Sequence, residues 1–220
     1  MKTVPFTKTY PDGFTLRAGA IELVSGRICC VLGANGCGKS TLGRCLAGML
    51  KTDGNGSPWK EPIPVGYLPQ RPYPFKMSTE HNILLSEKDR DKATRLMRLL
   101  QIGHLSRQRG DRLSGGECAR MCLARILMKP FPLLILDEPS ASMDMEAIRL
   151  TEQAVRGYRD ETGAAVLFIT HDIRQAERIA DEVIFMDGGR ILEHCGAGTF
   201  FRSPGTETGK RFLEFYGGMP

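Results

Sequence analysis

The stretch from Gly33 to Thr41 constrains the fold of this chain more than any other part of it. It fits the pattern G-x-x-x-x-G-K-[ST], follows a strand-like run at 27–32 and leads into a helix-like run at 41–47. Glycines let a loop curl so that several backbone N–H groups point at one anion, and the positive end of the following helix strengthens that field. The stretch therefore predicts a strand, a phosphate-binding loop and a helix in succession.

The residue types in this loop predict contacts with a nucleoside triphosphate. Lys39 can reach the β- and γ-phosphates, and the hydroxyl of Ser40 can ligate Mg²⁺. A glycine-rich turn between a strand and a helix can also be a plain turn, but the strand–loop–helix context favours nucleotide binding. The predicted binding residues are Gly33, Ala34, Asn35, Gly36, Cys37, Gly38, Lys39, Ser40 and Thr41.

Two acidic residues, Asp137 and Glu138, end a second apolar run at 131–136. A continuous apolar run of this length is typical of a strand buried on both faces of a parallel sheet. Asp137 is predicted to hold the Mg²⁺ shell, and Glu138 is predicted to accept a proton from an attacking water. The alternative, a strand followed by an ordinary acidic loop, is weakened by the phosphate loop upstream.

A second glycine-rich stretch, 114–116, precedes Glu117 and a helix-like segment at 118–127. Small residues with free N–H groups at a helix N-terminus form another anion-binding site. Two such sites that lie far apart cannot easily serve one nucleotide within one chain. We therefore predict two chains arranged head to tail, each contributing Ser114, Gly115 and Gly116 to the other's nucleotide.

In their order along nearly the whole chain, these motifs resemble the ATP-binding cassette family. The resemblance also rests on Gln70, on Ala-Ser-Met-Asp at 141–144 and on His171. It implies ATP hydrolysis with Mg²⁺, in which Glu138 is the base, Gln70 and His171 orient the water, and Gln70 also contacts the metal. Asp137 and His171 are separated by one strand–helix–strand unit, so we expect them on adjacent strand edges, although a lone histidine can also be structural.

An aromatic residue upstream of the phosphate loop is expected to stack on adenine in this family. Tyr10 is the candidate, and Phe6 and Phe14 compete for the role. Tyr10 lies beside the turn residues 11–13 and can instead simply pack in that turn.

Several positions depart from the family pattern. Glu117 stands where the family usually has glutamine, and its charge either weakens phosphate binding across the pair or points away harmlessly. Cys118 and Ala119 replace longer polar residues, and the stretch at 141–144 keeps the Asp144 of the common Ser-Ala-Leu-Asp. These departures leave the turnover rate open but remove no group that the chemistry needs.

Composition and charge argue against a membrane-spanning, a secreted or a nucleic-acid-binding protein. The chain has 220 residues, of which 25% are charged and 41% hydrophobic, and it contains neither an apolar run of membrane-spanning length nor a signal peptide. The net charge of +5 has no long basic block behind it, so nucleic acid is not an expected partner. Seven scattered cysteines indicate reduced thiols in the cytosol, and Cys118 and Cys122 lack a nearby partner pair for a metal.

The pattern of segments predicts an α/β fold with one cassette. We expect a P-loop NTPase core with a mainly parallel sheet and an antiparallel N-terminal β portion, formed by 1–70 and 113–220, and a small helical subdomain at 71–112. Tyr73 and Phe75 are predicted either to line a groove for a membrane partner or to lie in the core of that insert.

The function predicted on this basis is an ATP-hydrolysing subunit, importer-like, that drives a separate integral membrane transporter from the cytoplasmic face of the membrane. Its second partner is another cassette subunit, with a homodimer favoured. Residues 70–75 look somewhat like cassettes that drive uptake of oxyanions such as tungstate. The alternative is a soluble cassette ATPase, such as a scaffold subunit of iron–sulfur assembly. A P-loop kinase or GTPase does not explain the stretch at 114–116.

Overall fold

The computed structural model describes residues 1–54 and 56–216, and within them eight strands form one sheet. The order across the sheet is β1-β2-β8-β7-β3-β6-β5-β4. The strands are β1 (Phe6–Thr9), β2 (Thr15–Ala18), β3 (Ile28–Leu32), β4 (Val65–Leu68), β5 (Leu133–Asp137), β6 (Ala165–Ile169), β7 (Glu182–Asp187) and β8 (Arg190–Gly196).

Strands β7, β3, β6, β5 and β4 run parallel to one another, whereas β1 pairs with β2 and β7 with β8 in antiparallel fashion. A short parallel contact between Arg17 and Arg190 joins the N-terminal hairpin to β8. The predicted α/β fold, with a mainly parallel sheet and an antiparallel N-terminal portion, is therefore confirmed.

The helices are α1 (Lys39–Leu46), α2 (Thr79–Ile83), α3 (Arg90–Leu99), α4 (Gly115–Leu127), α5 (Met145–Thr162), α6 (Ile173–Ile179), α7 (Ala197–Arg202) and α8 (Glu207–Tyr216). α1 ends at Leu46, close to the end of the helix-like run, because Gly48 takes a left-handed backbone, with a φ of +70°. The sequence does not predict α7. In the described part of the chain, no helix combines the length and apolar character that crossing a bilayer requires.

The core lies on both faces of the sheet, because the central strands bury every residue. One face of β3, β5 and β6 packs against α1 and the N-terminal hairpin, and the other faces the remaining large cluster, which includes α4 and α5. Alternate residues of each central strand therefore belong to different cores, as the two-residue period of a strand requires.

The predicted helical insert contains α2 and α3, which both pack against α4. Ile83, Met97 and Leu100 share a buried cluster with Met121 of α4. Ser78 caps α2, as the sequence predicts, by accepting a hydrogen bond from the backbone N–H of His81. The division into a core and an insert at 71–112 stays a prediction, and 217–220, the end of the predicted core, lie outside the described residues.

Candidate functional site

Three of the predicted motifs meet at one edge of the sheet. β3 runs directly into the phosphate loop, β5 ends at Asp137, and β6 leads to His171. In the parallel register, Ile169 of β6 lies beside both Val31 of β3 and Asp137 of β5. Because the carboxyl ends of parallel strands share one edge, the topology places phosphate-binding and acidic residues side by side.

The phosphate loop needs glycine at two positions for identifiable reasons. Gly33 has a φ of +149°, and a Cβ added there would overlap the carbonyl oxygen of Met186. Gly38 has a φ of +106°, and an added Cβ would lie 3.0 Å from the Phe14 ring. Other residues at these positions would push the loop off the strand behind it or off the hairpin beside it.

The Lys39 side chain folds back over the loop. Its Nζ donates to the carbonyl oxygens of Gly33 at 2.8 Å and of Ala34 at 3.0 Å, and the residue is buried. A buried ammonium needs such partners, because desolvation without them costs several kcal/mol. The loop thus holds a positive charge close to its own backbone N–H groups, as an anion site requires.

Asp137 is fully buried, and both of its carboxylate oxygens accept hydrogen bonds. The hydroxyl of Ser40 donates to Oδ1 at 2.9 Å, and the hydroxyl of Tyr67 donates to Oδ2 at 2.9 Å. Burial and the nearby Asp137 carboxylate raise the pKa of Tyr67 to about 12, so the phenol keeps its proton at neutral pH. The carboxylate is therefore fixed from two sides.

Tyr67 is a residue that sequence reasoning misses. It lies on β4 in register with Ile135 of β5, two residues before Asp137, so both side chains are on the same face of the sheet. A tyrosine next to an acidic strand end is a natural hydrogen-bond donor to the carboxylate. The sequence could have indicated this contact only if the pairing of β4 with β5 had been known.

Glu138 and His171 are in direct contact. Nδ1 of His171 lies 2.8 Å from Oε2 of Glu138, and because an ionised carboxylate only accepts, the imidazole is the donor. Glu138 is 9% exposed and has a φ of +51°, whereas the His171 side chain is 60% exposed. The predicted placement of His171 on the strand edge adjacent to Asp137 is confirmed.

A cavity of about 470 Å³ opens over the phosphate loop. The hydroxyl of Tyr10 lies 3.4 Å from Oγ1 of Thr41, and its ring centroid is 6.2 Å from that of Phe14. Phe6 is buried in the core, which leaves Tyr10 and Phe14 as the two aromatic walls. The lining residues are Tyr10, Asp12, Phe14, Asn35, Gly36, Gly38, Lys39, Ser40, Thr41, Gln70 and Glu138.

The second glycine-rich stretch does not line this cavity. Ser114 and Gly115 are exposed at the start of α4, and Gly115 lines a separate groove of about 190 Å³. That groove is also lined by Gln70, Glu138 and Ser142. Gln70 and Glu138 thus lie between the two depressions, and the structure does not bring 114–116 onto the chain's own phosphate loop.

The two aromatic residues after Gln70 are on the surface. Tyr73 is 66% exposed and Phe75 is 42% exposed, with an edge-to-face contact of 5.8 Å between ring centroids. The guanidinium of Arg125 lies 5.1 Å from the Phe75 ring centroid. Of the two alternatives that the sequence leaves open for these residues, the structure excludes burial in the core of the insert.

A strand that runs into a glycine-rich phosphate loop, beside a strand that ends in a buried aspartate, defines a P-loop nucleotide-binding protein. The profile of the family described as ABC transporter matches residues 16–141, more than half of the chain. The chain belongs to this family, as its motifs indicate.

Curated relatives and solved structures agree with this assignment. The chain is 34% identical over 203 residues to the tungstate uptake system ATP-binding protein TupC of Peptoclostridium acidaminophilum, covering 86% of this chain and 95% of the relative. It is 31% identical over 197 residues to the thiamine import ATP-binding protein ThiQ of Jannaschia sp., covering 81% and 86%. The fold matches cbiO1 of Clostridium perfringens with a TM-score of 0.76 at 23% identity, covering 97% and 94%.

These findings confirm an ATP-binding and ATP-hydrolysing subunit of the importer-like kind. They favour the transporter interpretation over the alternative of an iron–sulfur assembly subunit.

Proposed function

We propose that two copies of this chain bind two ATP molecules head to tail and that hydrolysis drives a separate membrane transporter subunit. One observation carries the proposal: Ser114 and Gly115 are exposed at the start of α4 but do not line the cavity over the chain's own phosphate loop. A second chain, rotated by a two-fold axis, brings its own α4 to that cavity.

The start of α4 is suited to the γ-phosphate of a partner's ATP. α4 has 13 residues, and its first N–H groups belong to Gly115 and Gly116, which have no side chains to keep an anion at a distance. ATP held between the loop of one chain and α4 of the other joins the two chains. Hydrolysis removes the bridging phosphate, so the pair opens, as in a ligand-biased two-state switch.

The residues around Asp137 fit Mg²⁺. Ser40 and Asp137 present oxygen ligands 2.9 Å apart, and Gln70 can add an amide oxygen from the cavity wall. Hard oxygen donors of this kind are what Mg²⁺ prefers. When bound, Mg²⁺ neutralises charge on the β- and γ-phosphates.

The chain's own groups then have distinct roles in hydrolysis. Lys39 moves its hydrogen bonds from Gly33 and Ala34 to the phosphate oxygens. Glu138 accepts the proton of the attacking water, and His171, which contacts the Glu138 carboxylate at 2.8 Å, holds that base in position. Gln70, which lines the same cavity, orients the water. Tyr10 stacks on adenine, with Phe14 beside it.

The partner in the membrane docks at the surface formed by Tyr73 and Phe75. Two large exposed aromatic rings beside Gln70 supply the apolar contact that such a partner needs, close to the hydrolysis site. This position couples cargo movement to ATP. The protein then lies at the cytoplasmic face of the membrane as a peripheral subunit. The two relatives are named for different cargoes, tungstate and thiamine. What they share by name is ATP binding, so the resemblance does not identify one cargo for this chain.

Mixing two inactive variants tests whether the two chains share their sites. Lys39→Ala disables the phosphate loop, and Ser114→Arg blocks the start of α4, so each variant alone is expected to lack ATPase activity. A mixed pair contains one complete site, made from the loop of one variant and α4 of the other. We expect an equal mixture to recover up to roughly a quarter of wild-type activity.

A mixture that stays inactive, although both variants are folded and form mixed pairs, would contradict the head-to-tail arrangement. Mixing Lys39→Ala with Glu138→Gln provides the matched control. Lys39 and Glu138 both belong to the cavity over a chain's own phosphate loop, so neither site of that mixed pair is complete and the mixture is expected to stay inactive. For the membrane partner, purification from membranes is expected to recover this chain with a multi-span protein, and Tyr73→Ala/Phe75→Ala is expected to release it.

A further inference from the structure

A second cluster of chemically reactive side chains lies at the other end of β3 from the phosphate loop. Cys29 is near the start of β3, Glu182 begins β7, and His194 lies on β8. One ligand atom from each, a sulfur, a carboxylate oxygen and an imidazole nitrogen, lie within 4.8 Å of one another. The three residues come from strands that are neighbours in space but distant in sequence.

Strand register explains why these side chains meet. Cys29 pairs with Glu182 across the parallel β3–β7 ladder, and His194 pairs with Ile184, two residues after Glu182, across the β7–β8 ladder. Residues paired in register, or separated by two along a strand, share one face of the sheet. All three ligands therefore project to the same side, from regular strands rather than from loops.

We propose that Cys29, Glu182 and His194 form a binding site for a thiophilic divalent cation, with Zn²⁺ as the best fit. A tetrahedral zinc site with one sulfur, one nitrogen and one oxygen ligand requires ligand separations of roughly 3.3–3.6 Å. Nε2 of His194 is already 3.7 Å from Oε2 of Glu182. The Cys29 sulfur lies within 4.8 Å of both atoms, so the ligand atoms need to approach one another by at most about 1 Å to hold one ion.

The surroundings provide access and support. Cys29 is buried, with 3% of its surface exposed, whereas the side chains of Glu182 and His194 are 15% and 27% exposed. A groove of about 260 Å³, lined by Glu182, His194 and Cys195 among others, opens the Glu182 and His194 side chains to solvent and leaves room for a water as fourth ligand. Arg27 binds the other oxygen of Glu182 at 3.2 Å, so Oε2 remains available for the cation.

Cation binding at this position is coupled to release of the thiol proton. On binding, the thiol loses its proton to solvent as the metal–sulfur bond forms, so the cation replaces one positive charge with two. The resulting link joins three strands, at a position remote from the phosphate loop.

Titration of the purified protein with Co²⁺ alone tests this site. Thiolate ligation gives a charge-transfer band in the near ultraviolet that oxygen ligands at Ser40 and Asp137 cannot give. We expect the band in the wild-type protein, its displacement by Zn²⁺, its loss in Cys29→Ser, and about tenfold or greater weakening in His194→Ala.

Matched controls separate this site from other thiols. Cys195 also lines this groove, but it lies on the opposite face of β8 from His194, where it packs against the other core cluster. Cys195→Ser, the pair Cys118→Ser/Cys122→Ser and the exposed His104→Ala are expected to keep the band. Zn²⁺ is also expected to raise the midpoint of thermal unfolding of the wild-type protein but not of His194→Ala, which lies at the surface and leaves the core intact.

Absence of a thiolate band in the wild-type protein would overturn the proposal. So would a band that persists in both Cys29→Ser and His194→Ala. ATPase activity is not the readout, so failure of this proposal would be distinct from failure of the proposed function.

Discussion

Ser114 and Glu117 cap each other at the start of α4: the Glu117 carboxylate accepts from the Ser114 backbone N–H at 2.8 Å, and the Ser114 hydroxyl accepts from the Glu117 N–H at 3.4 Å. One partner in this capping box is Glu117, the residue that replaces the family's usual glutamine. Of the two possibilities that the sequence leaves for Glu117, the structure excludes the one in which the side chain points away, because its carboxylate is turned back onto the start of α4. The hydrogen bonds to Ser114 lower the pKa of Glu117.

Glu117→Gln is expected to destabilise the protein by about 0.5 kcal/mol at pH 7, because glutamine keeps the cap but loses the charge at the helix N-terminus. Since the pKa of Glu117 is lower in the folded than in the unfolded chain, this stabilisation is present above the unfolded value of about 4.3 and is lost as the pH falls through the folded value. Denaturant unfolding at neutral and acidic pH measures it. A difference from wild type that persists in acid, or that also occurs in Glu177→Gln on α6, would exclude this origin.

Glu138→Gln is expected to reduce ATP turnover by about 10²-fold or more, because an amide cannot accept the proton of the attacking water. The same variant should trap an ATP-bound dimer that size-exclusion chromatography separates from the monomer. Glu61→Gln, an exposed carboxylate, is the control and should behave as wild type. Normal hydrolysis by Glu138→Gln would show that another group is the base.

Lys39→Ala is expected to abolish nucleotide binding, because it removes the buried ammonium that lies against the loop carbonyls. Calorimetric titration with ATP and Mg²⁺ measures the loss. Lys51→Ala, an exposed lysine shortly after α1, should bind like the wild-type protein. Retained affinity in folded Lys39→Ala would contradict the assigned contact with the phosphates.

Tyr67→Phe is expected to raise the Mg²⁺ concentration needed for half-maximal ATPase activity by roughly fivefold, equivalent to about 1 kcal/mol for one lost hydrogen bond. The substitution leaves Asp137 free to rotate away from Ser40. Tyr158→Phe is the matched control, since it removes a different buried hydroxyl, which contacts Phe131 and Lys129. If Tyr67→Phe lowers stability alone and the Mg²⁺ requirement is unchanged, Tyr67 does not position the carboxylate.

Cys118 is expected to be the most reactive thiol. The neighbouring Cys122 thiol, and then the Arg125 guanidinium, lower the pKa of Cys118 below that of an ordinary thiol, whereas the neighbouring Cys118 and burial raise the pKa of Cys122. Alkylation by iodoacetamide at neutral pH, followed by mass spectrometry, should therefore modify Cys118 faster than the other thiols. The adduct should also inhibit ATPase activity, because Cys118 lines the groove that contains Gln70 and Glu138.

Cys118→Ala should remove both the fast alkylation and the inhibition, and Cys195→Ala should remove neither. Fast labelling that remains in Cys118→Ala would place the reactive thiol elsewhere.

The sequence predicts the parts of the site that depend on local pattern and chain order. The loop at 33–41 and the acidic end of β5 are contiguous motifs, and one strand–helix–strand unit is enough to place His171 beside Glu138. The contact between Tyr67 and Asp137 depends on which strand pairs with β5, which no local pattern reveals. The Cys29–Glu182–His194 cluster requires the register of three strands, so the scattered cysteines of the sequence give no hint of it.

Glu138 has a φ of +51°, a left-handed backbone conformation that is unfavourable by about 1–2 kcal/mol for a residue with a side chain. A glycine would relax the main chain at this turn and make the protein more resistant to heat, while deleting the general base. Selection for thermal resistance alone would therefore drive this position away from glutamate. An engineering effort that ranks variants only by melting temperature would be expected to recover a hardier but inert enzyme.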